Sequence, residues 1–362
     1  MTYREKEILN VIKENPLISQ MEIAKLLGIT RSSVAVHITN LMKKGYIIGK
    51  GYIIPNTKDY VCVIGGANMD IQGFPGETLN IHDSNPGDVK LSFGGVGRNI
   101  AENLTKLDSH VKLLTAIGKD IHGDNILKHS HSIGLDMTNA LILNNYQTST
   151  YLSILDGKGD MHVAISDMAI MEEVSVGYIT NKKDIVENCK VCVLDTNLPS
   201  ETLQFLLTNF KDTAFFVDTV STYKAKKIKD FIGYFHTIKP NIYEVEMLTG
   251  VKIVDTYDLE KAATILLNKG VKKVFITMGK EGVFYSDGTE SNLLPSPQVN
   301  VINATGAGDA FTAGLVHSYM SNFTMEEAAK FSMAASILTL SHEDTINPHF
   351  NEKNIYQIME EL

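Results

Sequence analysis

Apolar residues recur with the spacing of amphipathic helices in three short stretches of the first 45 residues. Thr30 precedes the third stretch and predicts its N-cap, while Ser19 or Gln20 opens the second. Residues 45–54 then predict a short β-hairpin, and residues 55–58 a linker. The apolar positions are Ile8, Leu9, Val11 and Ile12, then Met21, Ile23, Ala24, Leu26 and Leu27, then Val34, Val36, Ile38 and Leu41.

From residue 59 the pattern changes to apolar strands that alternate with helices. This alternation predicts a mostly parallel sheet with helices on both faces, in which ligands bind at the carboxyl ends of the strands. We therefore expect a small domain over residues 1–55 and a large α/β domain over residues 59–362. The predicted strands are 60–65, 111–117, 191–195, 214–217 and 274–277, and the predicted helices are 119–133, 199–210, 257–269, 305–320 and 325–340.

Composition narrows the class of protein. No segment of the 362 residues approaches the ~20 uninterrupted apolar residues of a membrane span, and the charged N-terminus has no signal-peptide core. Cys62, Cys189 and Cys192 form no disulfide framework. Cys189 and Cys192 make a Cys-x-x-Cys without a second pair, so a buried structural Cys192 is favoured over zinc. We expect a cytoplasmic protein.

Residues 303–311, Asn-Ala-Thr-Gly-Ala-Gly-Asp-Ala-Phe, carry the strongest chemical signal. A β-rich stretch at 298–302 leads into a glycine turn, and an apolar helical pattern opens at Asp309. Backbone N–H groups of Gly306, Ala307 and Gly308 would face an anion at the helix N-terminus. Asp309 would accept the proton of an attacking hydroxyl, which predicts phosphoryl transfer to an alcohol. The alternative is a glycine turn whose aspartate only caps the helix.

Four more segments point to the same chemistry, and three of them follow the ends of apolar strands. Asn68 and Asp70 form a pair suited to sugar hydroxyls, and residues 93–101 make a second glycine turn that opens a helix. Asn241 and Glu244 also fit a helix capping box. Residues 277–282 offer a hydroxyl, backbone N–H groups and the Lys280 ammonium to phosphates. Each segment alone fits a cap or a turn, but five in order along one chain favour a single active site.

Charge is divided unevenly along the chain. Residues 1–58 carry nine basic and four acidic side chains, a net +5, whereas the whole chain carries −9 and the remainder therefore −14. A basic head on an acidic body indicates that only the head meets a polyanion. Residues 3–54 resemble a winged helix-turn-helix, which implies binding of double-stranded DNA by a homodimer. The resemblance places Arg31, Ser32, Ser33 and His37 at the major groove and Lys43, Lys44 and Lys50 at phosphates. The alternative is a small module for dimerisation or protein contact.

The body resembles the ribokinase-like PfkB carbohydrate kinases over residues 59–362, with residues 94–101 and 305–309 matching the two signature regions of that family. The resemblance implies a ribokinase-like sheet with helices on both faces and a small β lid, formed by about 70–92 and 148–166, that closes over the sugar. It implies ATP and Mg²⁺ as cofactors. It implies that Asp309 is the catalytic base and that Gly306, Ala307 and Gly308 form the anion hole. The residues implied to bind the acceptor are Asn68, Asp70, Gly95, Arg98 and Asn99. Those implied to bind the nucleotide are Asn241, Thr277, Gly279, Lys280, Gly282, Thr305 and Asn347, while Glu244 and Asn241 are implied to contact Mg²⁺ indirectly.

Four longer stretches are similar to the subgroup of that family that phosphorylates the 5′-hydroxyl of pseudouridine. They are SNPGDVKLSFGGVGRNIAENL, TSTYLSILDGKGDMHVAISDM, HTIKPNIYEVEMLTG and VINATGAGDAF. Because a C-nucleoside keeps an extra N–H on its base, a polar lid contact could distinguish it from uridine. We expect that contact at Asp83, Asn85 or Ser153.

Two positions depart from the family pattern. Asn303 replaces an aspartate that helps relatives to bind a monovalent cation, which leaves activation by K⁺ open. Glu281 replaces a basic residue, so Lys280 is the expected phosphate contact. Two other functions also stay open: a ribokinase or purine nucleoside kinase, and a transcription regulator whose kinase fold only senses a ligand.

Overall fold

The computed structural model describes residues 1–49, 59–76, 78–156 and 161–362. The chain divides into two compact units, Met1–Asp59 and Tyr60–Leu362. The predictions for Lys50, for the second half of the hairpin and for the linker lie outside the described residues, as do parts of both lid segments.

The N-terminal unit is a three-helix head. Its helices are α1 (Tyr3–Glu14), α2 (Gln20–Leu27) and α3 (Arg31–Lys43). Ser19 caps α2, and the Thr30 side chain accepts the N–H of Ser33 at the start of α3, as predicted. Residues 45–49 of the predicted hairpin form no strand.

Burial in the head corrects three apolar positions. Val34, Ile38 and Leu41 are buried at the i, i+4, i+7 spacing of one helix face, whereas Val36 is 59% exposed. Two residues from Val34 along a helix lie about 200° around the axis, so Val36 faces away from the core. Met21 and Leu26 on α2 are exposed as well.

The C-terminal unit is built on a large sheet with eight strands among the described residues, in the order β14-β13-β12-β11-β10-β9-β1-β4. Strands β4, β1, β9, β10, β11 and β12 are parallel, and β13 and β14 extend the sheet antiparallel. The strands of this unit are β1 Tyr60–Ile64, β2 Asn68–Pro75, β3 Gly87–Gly94, β4 His110–Leu114, β5 Ala116–Gly118, β6 Leu141–Leu143, β7 Thr150–Leu155, β8 Met161–Asp167, β9 Val191–Asp195, β10 Ala214–Asp218, β11 Thr237–Ile238, β12 Lys273–Thr277, β13 Val283–Ser286 and β14 Ser291–Leu294.

Helices cover both faces of this sheet, as predicted. Alternate strand residues feed two apolar clusters: Cys62 and Ile64 face one, and Val61 and Val63 face the other. Helices α8, α10 and α11 pack on the first face, and α4, α12 and α13 on the second. The helices are α4 Val96–Lys106, α5 Ile121–Ser132, α6 Val176–Asn181, α7 Lys183–Asn188, α8 Ser200–Asn209, α9 Thr222–Ala225, α10 Ile242–Thr249, α11 Thr256–Asn268, α12 Ala307–Met320, α13 Met325–Leu340 and α14 Glu352–Met359. No helix among the described residues is long and apolar enough to cross a bilayer.

A second sheet forms the lid. Within the described residues its order is β3-β2-β7-β8, from both predicted lid segments. The strand registers place Asn68 and Asp70 on one face, opposite Gly94 and Ser92 of β3. The other face is apolar and exposed, with Val89 63%, Leu91 57%, Val163 50% and Ile165 63% exposed.

Three expectations about the body are wrong in detail. Residues 298–302 form no strand; the last strand ends at Leu294, and the N–H of Ile302 bonds to the carbonyl of Leu340. The predicted strand 111–117 is two strands, β4 and β5, which belong to different sheets. Helix α12 opens at Ala307, between the predicted helix start at residue 305 and the start of the apolar pattern at Asp309, and Gly306 before it takes a left-handed φ of 83°.

Candidate active site

The candidate site lies where the carboxyl ends of the parallel strands meet the N-termini of α4 and α12. Strand β1 leads through the lid strands β2 and β3 to α4 on one face of the sheet, while its neighbour β9 leads into α8 on the other. Such a reversal leaves a crevice between the two strand ends, which is where open α/β sheets bind ligands.

Asp195, at the end of β9, holds the glycine turns of this crevice together. One of its carboxylate oxygens accepts the N–H of Gly66 at 2.7 Å and that of Gly97 at 2.9 Å. A Cβ on Gly97 would lie 2.8 Å from backbone atoms of Gly65, so both turns need glycine for this approach. Asp195 was not among the predicted site residues, because a single carboxylate at the end of an apolar strand is common.

Asp309 lies in the first turn of α12 and is 8% exposed. Its Oδ2 accepts a hydrogen bond of 2.7 Å from Nδ2 of Asn99 on α4. Burial, reinforced by the nearby charge of Asp218, raises the pKa of Asp309 to about 7. A carboxylate that titrates near neutral pH is suited to general base catalysis.

A buried ion pair supports the turn before Asp309. The Lys239 ammonium lies 3.1 Å from Oδ2 of Asp218, and it donates to the carbonyl of Gly308 at 3.3 Å. Thr312 donates to the same Asp218 oxygen at 2.9 Å. Although burial acts against both charges, each partner stabilises the other, which lowers the pKa of Asp218 and raises that of Lys239. Neither Asp218 nor Lys239 was among the predicted site residues.

Asn241 and Glu244 form the capping box of α10. Glu244 donates its N–H to the Asn241 side chain at 2.9 Å, and its Oε2 accepts the N–H of Asn241 at 2.9 Å. Thr219 donates to that same oxygen at 2.6 Å. A backbone bridge sets Asn241 beside Thr277, so both residues share the end of β12. Gly279 and Lys280 lie exposed in the next turn, and Gly282 closes that turn against the carbonyl of Leu294.

On the lid side, Asn68 and Asp70 lie together on the polar face of β2. The Asn68 amide donates to Asp70, and burial raises the pKa of Asp70. A Cβ on Gly94 would lie 2.3 Å from Asp70, and one on Gly95 would lie 2.4 Å from the carbonyl of Gly66. These glycines therefore let the root of the lid approach the turn after β1.

The other residues predicted to contact the acceptor do not lie beside Asn68 and Asp70 as one group. Arg98 is 1% exposed and bonded to protein groups, so it supports the site from within instead of lining it. Asp83 and Asn85 lie in the loop before β3 and make hydrogen bonds within residues 80–85. Ser153 is buried on β7, and its Oγ has no partner among the described residues.

The remaining nucleotide predictions lie around the start of α12. The N–H of Thr305 donates to Oδ1 of Asn303 at 2.9 Å, and Nδ2 of Asn303 donates to the Glu343 carbonyl at 2.8 Å. Asn347 is buried and donates to the carbonyl of Leu338 at 2.6 Å, so its side chain holds the chain after α13. A Cβ on Gly306 would lie 2.3 Å from the carbonyl of Thr345, so the chain after α13 packs against the Gly306–Gly308 turn.

Lys224 is a further residue that the sequence analysis missed. Its ammonium donates to Oδ1 of Asn197 at 2.5 Å, and a Cβ on Gly66 would lie 3.0 Å from Nδ2 of Asn197. Burial lowers the pKa of Lys224. This cation thus lies at the rim of the crevice.

The head presents part of α3 for contact. Arg31, Ser32 and Lys43 are exposed, as a groove-binding surface requires, and Ser33 and His37 are partly exposed. Lys44, predicted at a phosphate, is instead held 2.9 Å from the buried carboxylate of Glu5. Its charge is compensated within the head.

A buried carboxylate in the first turn of a helix, a glycine turn at the start of that helix and an amide–carboxylate pair on the lid are groups suited to phosphoryl transfer to an alcohol. The sequence model of the pfkB family of carbohydrate kinases matches residues 58–353, and that of a winged helix-turn-helix DNA-binding domain matches residues 1–48. The chain belongs to the pfkB family of carbohydrate kinases.

Relatives support the same assignment. The chain is 37% identical over 361 residues to "Uncharacterized sugar kinase YeiI" of Escherichia coli, covering 99% of both chains. It is 39% identical to "Pseudouridine kinase" of Escherichia coli over 304 residues, which are 84% of this chain and 97% of the relative. The crystal structure of a putative sugar kinase from Clostridium perfringens matches with a TM-score of 0.77 at 41% identity, covering 84% of this chain and 96% of that one.

Proposed function

We propose that the protein transfers the γ-phosphoryl group of ATP to the 5′-hydroxyl of pseudouridine. The observation that carries the proposal is Asp309, a buried carboxylate with a pKa of about 7 at the start of α12. Asp309 takes the hydroxyl proton as the acceptor oxygen bonds to phosphorus, and the bond from phosphorus to the leaving oxygen of ADP breaks. N–H groups of the Gly306–Gly308 turn and the dipole of α12 stabilise the charge on the transferred group.

The acceptor lies between the crevice and the lid in this proposal. Asn68 and Asp70 offer an amide and a carboxylate to the ribose hydroxyls from the polar face of β2. Burial raises the pKa of Asp70. A ribose hydroxyl bound beside Asp70 would lie in the same buried environment. Closure of the lid would exclude water from the phosphoryl group.

The choice of pseudouridine rests on the 39% identity to a protein named pseudouridine kinase, against 25% to a ribokinase of Haemophilus influenzae. We assign the base contact to Ser153, whose buried hydroxyl has no partner among the described residues and shares the polar lid face. Asp83 and Asn85 remain the other candidates. A ligand sensor without catalysis is disfavoured, because it has no need for a carboxylate that titrates near neutral pH.

The nucleotide is proposed to bind at the ends of β11 and β12, near Asn241, Thr277, Gly279 and Lys280. Mg²⁺ fits this site as an ion held mainly by phosphates and water. Among the described residues no cluster of three acidic, histidine or cysteine side chains could hold a metal, and Oε2 of Glu244 already accepts two hydrogen bonds. Glu244 and Asn241 would contact the water shell of this Mg²⁺ ion, which would supply positive charge to neutralise the phosphates.

Coupled-assay measurement of ADP release tests the proposal, with pseudouridine, uridine, inosine, ribose and fructose 6-phosphate as acceptors. A clear preference for pseudouridine in kcat/KM supports it. Turnover of another acceptor would keep the kinase and change the substrate. Tight nucleoside binding without ADP release would favour the sensor.

We further propose that the head binds double-stranded DNA as part of a homodimer, because the exposed face of α3 carries Arg31, Ser32 and Lys43. A net charge of +5 on one head is modest, so two heads acting together are needed and binding is sensitive to salt. Genomic DNA selection with the full chain, followed by titration at several salt concentrations, tests this. A chain that selects no sequence and shows no salt dependence would leave the head as a protein-contact module.

A further inference from the structure

The large unit uses arginine once. Every other basic side chain between residues 59 and 362 is lysine or histidine, and the single arginine is Arg98. It lies at the centre of the unit and is 1% exposed. Arginine differs from lysine in its planar fork of five donors, so its use at one buried position points to a requirement for several fixed hydrogen bonds.

The guanidinium of Arg98 bonds to four different groups in the described structure. Nε donates to the carbonyl of Gly94 at 2.9 Å, and Nη2 donates to that of Phe93 at 2.7 Å. Nη2 also donates to Oδ1 of Asn99 at 2.7 Å, and Nη1 donates to the carboxylate of Glu102 one turn along α4. A lysine ammonium at this position could not satisfy this planar arrangement.

The contact with Asn99 determines which end of its amide faces the base. An amide carries an oxygen at one end and an NH₂ group at the other. Because Arg98 donates to Oδ1, Nδ2 must point the other way, where it donates to Asp309 at 2.7 Å. With the amide reversed, oxygen would face carboxylate oxygen and the hydrogen bond that favours the ionised base would be lost.

Arg98 also joins this pair to the root of the lid. Phe93 and Gly94 are the last residues of β3, and Gly94 lies beside Asp70. The same guanidinium therefore contacts the lid strand and the amide that holds Asp309. Glu102, 4% exposed, keeps Arg98 in place and is itself contacted by His129 at 3.0 Å.

We propose that Arg98 is a positioning residue for the base: its fork, fixed by Glu102, orients the Asn99 amide so that it donates to Asp309, and anchors that amide to the root of the lid. The proposal rests on the proposed role of Asp309 as the base. It assigns to Arg98 a function different from the substrate contact that the sequence suggested.

Loss of the fork has a specific consequence for the ionisation of Asp309. The charged groups that face Asp309 are Asp218 and Asp195 from the neighbouring strand ends, Lys239, and Arg98 itself from α4. Removing the Asn99 hydrogen bond withdraws a contact that lowers the pKa of Asp309, so this pKa rises further. The acid limb of kcat/KM, which reports the free enzyme, then moves to higher pH.

The test compares the wild type with Arg98→Lys, Arg98→Met and Glu102→Gln in pH profiles of kcat/KM for the acceptor. We expect Arg98→Lys and Arg98→Met to move the acid limb up by about one pH unit, the size of a hydrogen bond to a charged acceptor. At pH 7 such a shift lowers kcat/KM about fivefold, and kcat/KM returns to the wild-type value above pH 9. In an Asn99→Ala background, Arg98→Lys should add no further shift, since both act on one contact.

The Lys112→Met variant is the control for general destabilisation. Lys112 forms a half-buried ion pair with Asp136 at 2.8 Å, outside the site. We expect it to lower Tm and leave the acid limb in place. If Arg98→Met does not fold, the Arg98→Met/Glu102→Met double variant removes both buried charges together and keeps the test.

An unshifted acid limb in folded Arg98→Lys and Arg98→Met variants would overturn the proposal and leave Arg98 a structural residue. The profile is measured with whichever acceptor the wild type phosphorylates. Failure to use pseudouridine therefore concerns the substrate alone, and an unchanged limb concerns Arg98 alone.

Discussion

Replacement of Asp309 by asparagine should lower turnover strongly and at the same time stabilise the fold. The change keeps the shape of the side chain and a hydrogen-bonding partner for Asn99, but removes the proton acceptor. Base catalysis is worth roughly 10²–10⁴-fold, so kcat should fall by that factor while the dissociation constant of the nucleoside stays nearly unchanged. The remaining activity should lose the acid limb near pH 7 that the pKa of Asp309 predicts.

The gain in stability follows from the same pKa. The folded state raises the pKa of Asp309 from 3.8 to about 7, so it binds the proton more tightly than the unfolded chain does. The ionised carboxylate therefore destabilises the fold by an amount that is absent below about pH 4, grows between pH 4 and 7, and is complete above pH 7. Three pKa units set an upper limit of about 4 kcal/mol. This limit is already net of the hydrogen bond from Asn99, and relaxation around the ionised carboxylate reduces it, so we expect a gain of about 2 kcal/mol at pH 8.

Thermal unfolding at pH 4 and pH 8 measures this effect. For a domain of this size, about 2 kcal/mol corresponds to a rise in Tm of roughly 4 °C at pH 8, and the rise should vanish at pH 4. Asp136→Asn is a control of opposite sign, because its contacts with Lys112 and Thr138 lower the pKa of Asp136 despite burial. It should lower Tm at pH 8. Equal Tm values for wild type and Asp309→Asn at both pH values, or a kcat close to the wild type, would refute the reasoning.

Three further perturbations test other parts of the molecule. Arg31→Ala with Lys43→Ala should weaken DNA binding and reduce its salt dependence while the kinase rate stays unchanged; a parallel loss of both activities would indicate unfolding. Gly97→Ala should lower kcat/KM at least tenfold, because the new Cβ would lie 2.8 Å from backbone atoms of Gly65 in the facing turn. Gly177→Ala is the control and should keep full activity, because the nearest atom to its Cβ would be a side-chain atom 3.7 Å away. Replacing K⁺ by tetramethylammonium should change kcat by less than about twofold, because Asn303 carries no negative charge and both ends of its amide are already bonded within the protein. A steep K⁺ requirement in a titration would contradict this.

Local signals in the sequence accounted for the elements and for much of the site. Thr30 and Ser19 predicted helix starts, and the spacing of Asn241 and Glu244 predicted a capping box, because each of these signals lies within a few residues of sequence. The glycine turn of α12 was visible for the same reason. The first residue of that helix was not, because it depends on Gly306 packing against Thr345, which is 39 positions away in sequence.

The buried charges could not be predicted by the same means. Asp195, Asp218 and Lys239 lie at the ends of three neighbouring strands, and only the strand order brings them next to one another. In the sequence each one is a single charge after an apolar stretch, which is common at any strand end. Arg98 was predicted as a site residue, but the orientation of its side chain could not be predicted. A side chain between two glycine turns and Asn99 can point toward the ligand or into the protein.

The position of these charges explains why the site takes this form. Burial and the nearby charges of Asp218 and Asp195 raise the pKa of Asp309. Acting without opposition, they would keep Asp309 neutral at physiological pH, and a neutral acid cannot take a proton. Lys239 and the Asn99 amide act in the opposite direction and hold the pKa near 7, where Asp309 is ionised half of the time at neutral pH. Each balancing group is itself fixed, Lys239 by Asp218 and Asn99 by Arg98. The ionisation of Asp309 therefore depends on contacts from α4, β10 and the residue after β11, and we expect a change at any of them to shift the pH profile first.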